Sequence, residues 1–206
     1  MSIVDGILYL WLIWGIWIFT TFMMNKAHPY RFHYSFICLV LLCVFPYGLK
    51  VGSVEVAVPI FVLGLICIHY IRIFSLKEKL YMLVAILAMG MLYAGIGLVA
   101  IYDPVLMLID RNLIMALSLA FLSIFFYNAS SYLFRMIAVA GSSIVGEVFM
   151  SIPLKNVGFL YPIGGPVYLD VLAISIGILL AVKLFEEINQ LFNIKVQTNK
   201  GEMKNL

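Results

Sequence analysis

The sequence predicts an all-α fold, a polytopic transmembrane helical bundle of seven spanning helices with the N-terminus outside and the C-terminus inside. Three observations lead there. First, 65% of the 206 residues are hydrophobic and 11% are charged, with a mean hydropathy of +1.11, which leaves too little polar surface for an aqueous globule. Second, seven apolar stretches fill the chain between short charged loops, each near the roughly 20 residues that cross a ~30 Å hydrocarbon core. Third, lysine and arginine gather on alternate loops. Uninterrupted apolar runs exclude a transmembrane barrel, whose strands alternate apolar and polar residues, so the backbone amides have to be satisfied within helices.

The first span runs from about Val4 to Met24 and stops at Asn25 and Lys26. It is preceded by Asp5 and not by a basic residue, and it is too long for a signal-peptide core, so it reads as a retained anchor. Spans follow at His33–Leu49, Val56–Phe74 and Leu80–Tyr102, the last two separated by Lys77, Glu78 and Lys79. The fifth is expected to begin at Pro104 and end near Tyr127, because Asp103 offers an N-cap side chain and proline has no amide hydrogen to leave unsatisfied. The sixth covers Ser131–Ile152 and the seventh Pro166–Ile188. The Gly- and Pro-rich stretch from Val157 to Pro166 is the longest irregular segment and is too short to divide domains. Residues 1–188 are therefore expected to form one transmembrane domain and 189–206 a polar cytoplasmic tail.

Orientation follows from lysine and arginine alone, the residues held back from translocation. With the N-terminus outside, ten of the thirteen face inward: Lys26, Arg31, Arg72, Lys77, Lys79, Arg135, Lys183, Lys195, Lys200 and Lys204. Lys50, Arg111 and Lys155 face outward, and the acids Asp5, Glu55, Asp103, Asp110 and Asp170 lean to the same side. The net charge of +3 is the sum of a basic inner face and an acidic outer one, and gives no support to nucleic-acid binding. The implied partners are the lipid bilayer and, at the inner face, anionic lipid headgroups, attracted at roughly 1 kcal/mol per basic residue. Cys38, Cys43 and Cys67 all lie in apolar spans and are expected as free thiols.

Small residues mark where helices approach closely in lipid. Gly90, Ala94 and Gly97 share a face of the fourth span, and Gly141, Ser142, Val145 and Gly146 one of the sixth, so these two spans are expected to meet. Glu147 stands out, since an ionisable group in a span costs several kcal/mol unless it meets a partner or a wet cavity. It lies about 8 Å outward of the midpoint of the sixth span at about 1.5 Å per residue, with Ser143 one turn away on the same face. Asp110, Arg111 and Asn112 fall at comparable depth on the fifth span, where the two groups are able to converge.

Such a notch has two readings. In one it binds a ligand: Glu147 and Asp110 hold a cation or protonated amine, or carry a proton, with Arg111 balancing the charge. In the other, Arg111 pairs with Glu147 or Asp110 and fixes helix register, or Asp110 and Arg111 simply reach headgroups and water. Trp11, Trp14 and Trp17 lie within about 120° of one face of the first span and run through its middle, whereas tryptophan normally gathers at the interfaces. Trp14 is therefore a further ligand-binding candidate, with lipid-facing bulk or helix packing as the alternative.

Other chemistry lacks its signatures. His28, His33 and His69 are scattered and no HExxH or CxxC spacing occurs, so no metal site is expected. Without a GxSxG, Walker-type or GxGxxG motif, no catalytic residue and no cofactor is assigned. Lys183 sits too near the inner end of the last span for a retinal-type Schiff base, and snorkelling explains it. A faint echo between Pro46, Lys50, Val51, Gly52 and Pro153, Lys155, Val157, Gly158 raises a parallel-repeat transporter, but it does not extend into the flanking helices.

Tyr102-Asp103-Pro104, Gly146-Glu147 and Tyr168-Leu169-Asp170, together with the pattern of spans, resemble the YphA-type family of small integral membrane proteins from Gram-positive spore formers. The resemblance covers nearly the full length, up to the polar tail. It implies a multi-pass protein of the bacterial plasma membrane and brings no activity and no catalytic residues with it. Two functions stay open. The first is non-catalytic, a scaffold, assembly or envelope-associated role without enzyme activity. The alternative is a small-solute transporter or sensor that uses the outer polar notch around Glu147.

Overall fold

The computed structural model describes residues 5–52, 54–127 and 132–202. Among them seven α-helices follow one another: α1 (Ile7–Ile18), α2 (Arg31–Val44), α3 (Val58–Ile71), α4 (Leu76–Tyr102), α5 (Arg111–Phe126), α6 (Tyr132–Asn156) and α7 (Pro166–Glu202). A π-helical turn, Phe19–Met23, extends α1, and two antiparallel strands, β1 (Gly48–Val51) and β2 (Val54–Ala57), stand between α2 and α3. The expected span starts at Val4 and Ser131, residues 203–206 of the tail, and the side chains of Lys195 and Lys200 lie outside the described residues.

Three helices are long and apolar enough to cross a membrane: Leu76–Tyr102, Tyr132–Asn156 and the Pro166–Gln190 part of α7. Ile7–Met23, Arg31–Val44, Val58–Ile71 and Arg111–Phe126 are apolar but shorter. Two departures from the expected boundaries contribute. The second helix ends at Val44 and not Leu49, because Gly48–Val51 is drawn into β1. The fifth begins at Arg111 and not Pro104, since Pro104–Leu106 forms a single 3-10 turn. Asp110 is its N-cap in place of Asp103, Oδ1 accepting from the amides of Asn112 (2.9 Å) and Leu113 (3.2 Å).

Helix α6 runs beyond Ile152 to Asn156 and closes in a Schellman turn, with Phe159 N–H donating to Leu154 O and Gly158 N–H to Lys155 O. The left-handed Gly158 (φ +83°) makes that turn accessible. Helix α7 continues past Ile188 to Glu202 as one helix. The echo between the second and sixth spans is not structural: Lys50 and Val51 lie in β1, whereas Pro153 and Lys155 lie inside α6.

The hairpin is an addition to the all-α expectation. Lys50 faces Glu55 in its register and Gly52 (φ +65°) makes the turn. The strand β2 is paired on its other side as well, in parallel, by the segment before α7. Ala57 N–H donates to Ile163 O and Ile163 N–H to Glu55 O, each at 2.9 Å. Hairpin and segment 157–165 thus form a small cap at one end of the bundle, the hairpin end. The loops after α1 and α3, which carry Lys26 and Arg72, and the first turns of α2 and α4, which carry Arg31 and Lys77, occupy the opposite, basic end.

Helices α4 and α6 share the most extensive helix pair, and the small residues seen in the sequence form its seam. A Cβ on Gly90 would stand 3.0 Å from Ser142 O, one on Gly141 2.8 Å from Ile86 Cδ1, and one on Gly146 would enter the ring of Tyr93. Around this seam α5, α1 and α7 bury Leu119, Ala116, Tyr9, Tyr168 and Leu172 in one continuous core.

Candidate functional site

Glu147 is fully buried, 0% exposed, near the middle of the α4–α6 seam. Because α6 extends to Asn156, its centre is Ile144, and Glu147 stands about 4.5 Å from it at 1.5 Å per residue, closer to mid-helix than the sequence-based boundaries place it. Oε1 accepts from Tyr93 Oη on α4 at 2.9 Å and from Tyr161 Oη at 3.2 Å. Oε2 accepts from the Gly164 amide at 2.9 Å. That amide is aimed by a left-handed turn (φ +74°), and a side chain there would press to 3.0 Å on Ile60 Cβ, so glycine is required twice over. Every partner donates, and the three donors come from α4 and two points of the cap. Glu147 therefore ties the cap to the bundle.

Tyr161 lies in the loop, and burial first, then the adjacent Glu147 carboxyl, holds its hydroxyl well above the usual phenol range. It stays a hydrogen-bond donor at any ordinary pH. One turn below Glu147, Ser143 Oγ donates to Ala140 O at 2.9 Å. The hydroxyl has a single proton, so its 3.2 Å contact with Tyr168 Oη is one in which the tyrosine donates.

Arg111 and Asn112 come close to this cluster. With Tyr93, Tyr161, Tyr168 and Met150 they line a crevice of about 10 Å³, enough for one water-sized group. Asn112 Oδ1 is buried and has no hydrogen-bond partner among the described residues. The Arg111 ion pair, one of the alternatives for this notch, is not formed: among the described residues the salt bridges are Arg135–Glu186 and Lys183–Glu187, and Arg111 joins neither Glu147 nor Asp110. Asp110 is engaged on the first turn of α5. Trp14 is 57% exposed on the outer surface of α1, tilted against Trp17 at 6.2 Å, and is not brought to the notch. The structure therefore gathers Glu147, Ser143, Arg111 and Asn112, and leaves Asp110 and Trp14 aside.

A second buried carboxyl went unassigned in the sequence. Asp170, in the first turns of α7, accepts from Gly6 N–H (2.7 Å) at Oδ2 and from Tyr9 N–H (3.1 Å) at Oδ1. It caps α1 from another helix. The available signal was negative: Gly6 opens α1 with no side chain able to cap it. Tyr93 and Tyr161 were also missed. Pairing the small faces of the fourth and sixth spans sets Tyr93 beside Gly146, one residue from the acid, and a phenol in an apolar helix needs an acceptor.

At the basic end, buried Arg135 donates from Nε to Tyr127 O at 2.9 Å and reaches Glu186 at 3.6 Å. Lys183 pairs with Glu187 at 3.6 Å and lies 4.7 Å over the Tyr132 ring.

No curated protein and no solved structure matches the chain. The family model described as YphA-like integral membrane protein matches residues 5–205, which takes in all seven helices, the cap and the Glu147 cluster. The chain belongs to this family of YphA-like integral membrane proteins.

Proposed function

We propose that the protein is a non-catalytic scaffold or assembly component of the bacterial plasma membrane. It crosses seven times, with the N-terminus outside and the C-terminus inside, and presents the cap on the outer face. The observation that carries the non-catalytic reading is the enclosure of Glu147. A carboxyl that holds a solute or relays a proton needs a wet path. Here the side chain is fully buried, protein donors take three of its roughly four lone-pair sites, and the adjoining crevice admits one water-sized group. A small-solute transporter or sensor at this notch is the weaker reading.

The orientation rests on ten basic residues at one end against three at the other. The 14-residue helices α2 and α3 are each about 21 Å long, which a bilayer accommodates by local thinning. At the basic end, facing the inner leaflet, the lysines and arginines attract anionic lipid.

Two experiments test this. Reporter fusions in the loop after α1 and after α3 are expected to report the cytoplasm, and fusions at Gly52 and Val157 the outside; the reverse pattern at any of these loops overturns the topology. Thermal unfolding of purified wild type and Glu147→Gln is then followed across small amines, sugars and nucleosides. Loss of stability in the variant with no ligand response in the wild type supports the structural reading. A compound that stabilises the wild type and not the variant overturns it in favour of a solute site.

A further inference from the structure

The turn between α1 and α2 folds into a groove of about 310 Å³ at the basic end, walled by Thr21, Lys26, His28, Arg31, Phe32 and Ser35. No carboxylate lines it, and among the described residues Lys26 is in no ion pair. Arg31 is fixed at the wall, Nε donating to Thr20 O (3.2 Å) and Nη2 to Thr21 O, while Nη1 makes no hydrogen bond among the described residues. Tyr30 N–H donates to His28 Nδ1 (3.3 Å), which places that ring's own proton on Nε2. Thr21 and Ser35 hydroxyls are 2.9 Å apart; one donates to the other, and the second proton is left to donate into the groove. Helix α2 begins here with no side-chain cap; the Arg31 amide donates to His28 O (3.2 Å), and the amides that follow it in the first turn add partial positive charge of the same sign.

The groove therefore presents donors and positive charge, which is the chemistry that receives a phosphate. Its rim decides the source. Phe32 is 80% exposed and stacks on exposed Phe36 at 6.2 Å, and Phe22 and Met23, next in sequence to the lining residue Thr21, are exposed as well. A polar groove opening onto an apolar aromatic flank matches a molecule with an anionic head and hydrocarbon chains.

We propose that this groove binds the phosphodiester headgroup of an anionic phospholipid, with Lys26, His28, Arg31 and the Thr21–Ser35 hydroxyl pair on the phosphate and Phe32 and Phe36 against the acyl chains. The assignment to the inner leaflet rests on the proposed topology; binding itself does not, so the test is made in detergent. The full chain is compared with Lys26→Gln/His28→Gln, and with Lys77→Gln/Lys79→Gln as a charge-loss control in the first turn of α4 at the same end. Each is titrated with short-chain phosphatidylglycerol, with phosphatidylcholine of equal chain length, and with inorganic phosphate, reading the melting temperature and bound lipid by native mass spectrometry.

Phosphatidylglycerol is expected to bind saturably, to bind at least about fivefold more weakly to the groove variant, and to bind the control as it binds the wild type. Phosphatidylcholine, whose choline offsets the phosphate charge, binds weakly. Equal loss in both variants, or a response that never saturates, means diffuse surface charge and overturns the site. Inorganic phosphate binding as tightly as phosphatidylglycerol, with the same dependence on Lys26 and His28, overturns the lipid assignment. Both substituted side chains are exposed, and an unchanged lipid-free melting temperature verifies that the variant is folded.

Discussion

At the hairpin end three acids accept from backbone amides, and at the basic end, beside the exposed Ser75–Glu78 capping box that opens α4, two arginines donate to backbone carbonyls. Asp170 accepts from the amides that open α1, Asp110 from those that open α5, and Glu147 from the Gly164 amide just before α7. Arg31 donates to Thr20 O and Thr21 O where α1 and its π turn end, and Arg135 to Tyr127 O where α5 ends. The same two helices, α1 and α5, are thus closed by an acid at the start and an arginine at the finish, the arrangement the helix dipole favours. Unsatisfied amides and carbonyls are costly in hydrocarbon. The difference between the ends teaches that the charge asymmetry read as topology also satisfies the helix termini.

Asp170 and Glu147 are buried without ionic partners among the described residues, whereas buried Arg135 has Glu186, which is itself about one-third exposed. Substitutions at the hairpin end should therefore cost more. The largest effect is expected for Asp170→Ala, which strips two backbone amides of a carboxyl acceptor. About 3–5 kcal/mol of unfolding free energy should be lost at roughly 1.5–3 kcal/mol per bond, measured by denaturant unfolding in detergent. Next comes Glu147→Gln, where the amide NH2 sets a donor against the hydroxyls or the Gly164 N–H. A loss of about 2 kcal/mol is expected, and a double-mutant cycle with Tyr161→Phe should show the two effects to be less than additive.

At the basic end Arg135→Gln should cost about 1–2 kcal/mol, chiefly through the bond to Tyr127 O, because the partner Glu186 is about one-third exposed. A loss here as large as that of Asp170→Ala breaks the comparison. The smallest effect belongs to Lys183→Gln. Its pair with Glu187 is half exposed and should contribute about 0.5 kcal/mol or less, with a melting temperature that loses its salt dependence in the variant.

Much of this was legible in the residues. Seven apolar runs became seven helices, and the small faces at Gly90 and Gly146 became the α4–α6 seam, because close approach in lipid leaves few residue choices. Glu147 announced itself by its charge. The hairpin was hidden because Leu49, Lys50, Val51 and Val54, Glu55, Val56 alternate over only a few residues, and Leu49 and Val56 were absorbed into the neighbouring spans. The start of α5 was misplaced because Asp103-Pro104 and Asp110 both carry cap chemistry, and the one whose carboxylate reaches two amides prevails. The Asp170 contact had no local signal, since its partners lie far back in the chain. Trp14 reads either as a pocket residue or as lipid-facing bulk, because periodicity in an almost wholly apolar helix does not say which face is outward; its 57% exposure agrees with bulk.

That long-range contact bears on how the protein is made. Gly6 and Asp170 are 164 residues apart, so α1 is synthesised long before the residue that caps it. Its opening amides have no carboxyl acceptor until α7 has been made and packs against α1. The bundle is closed by its final helix acting on its first. A chain that stops short of Asp170 leaves the Gly6 and Tyr9 amides without that acceptor, and limited proteolysis is expected to cut it near the start of α1 faster than the full chain.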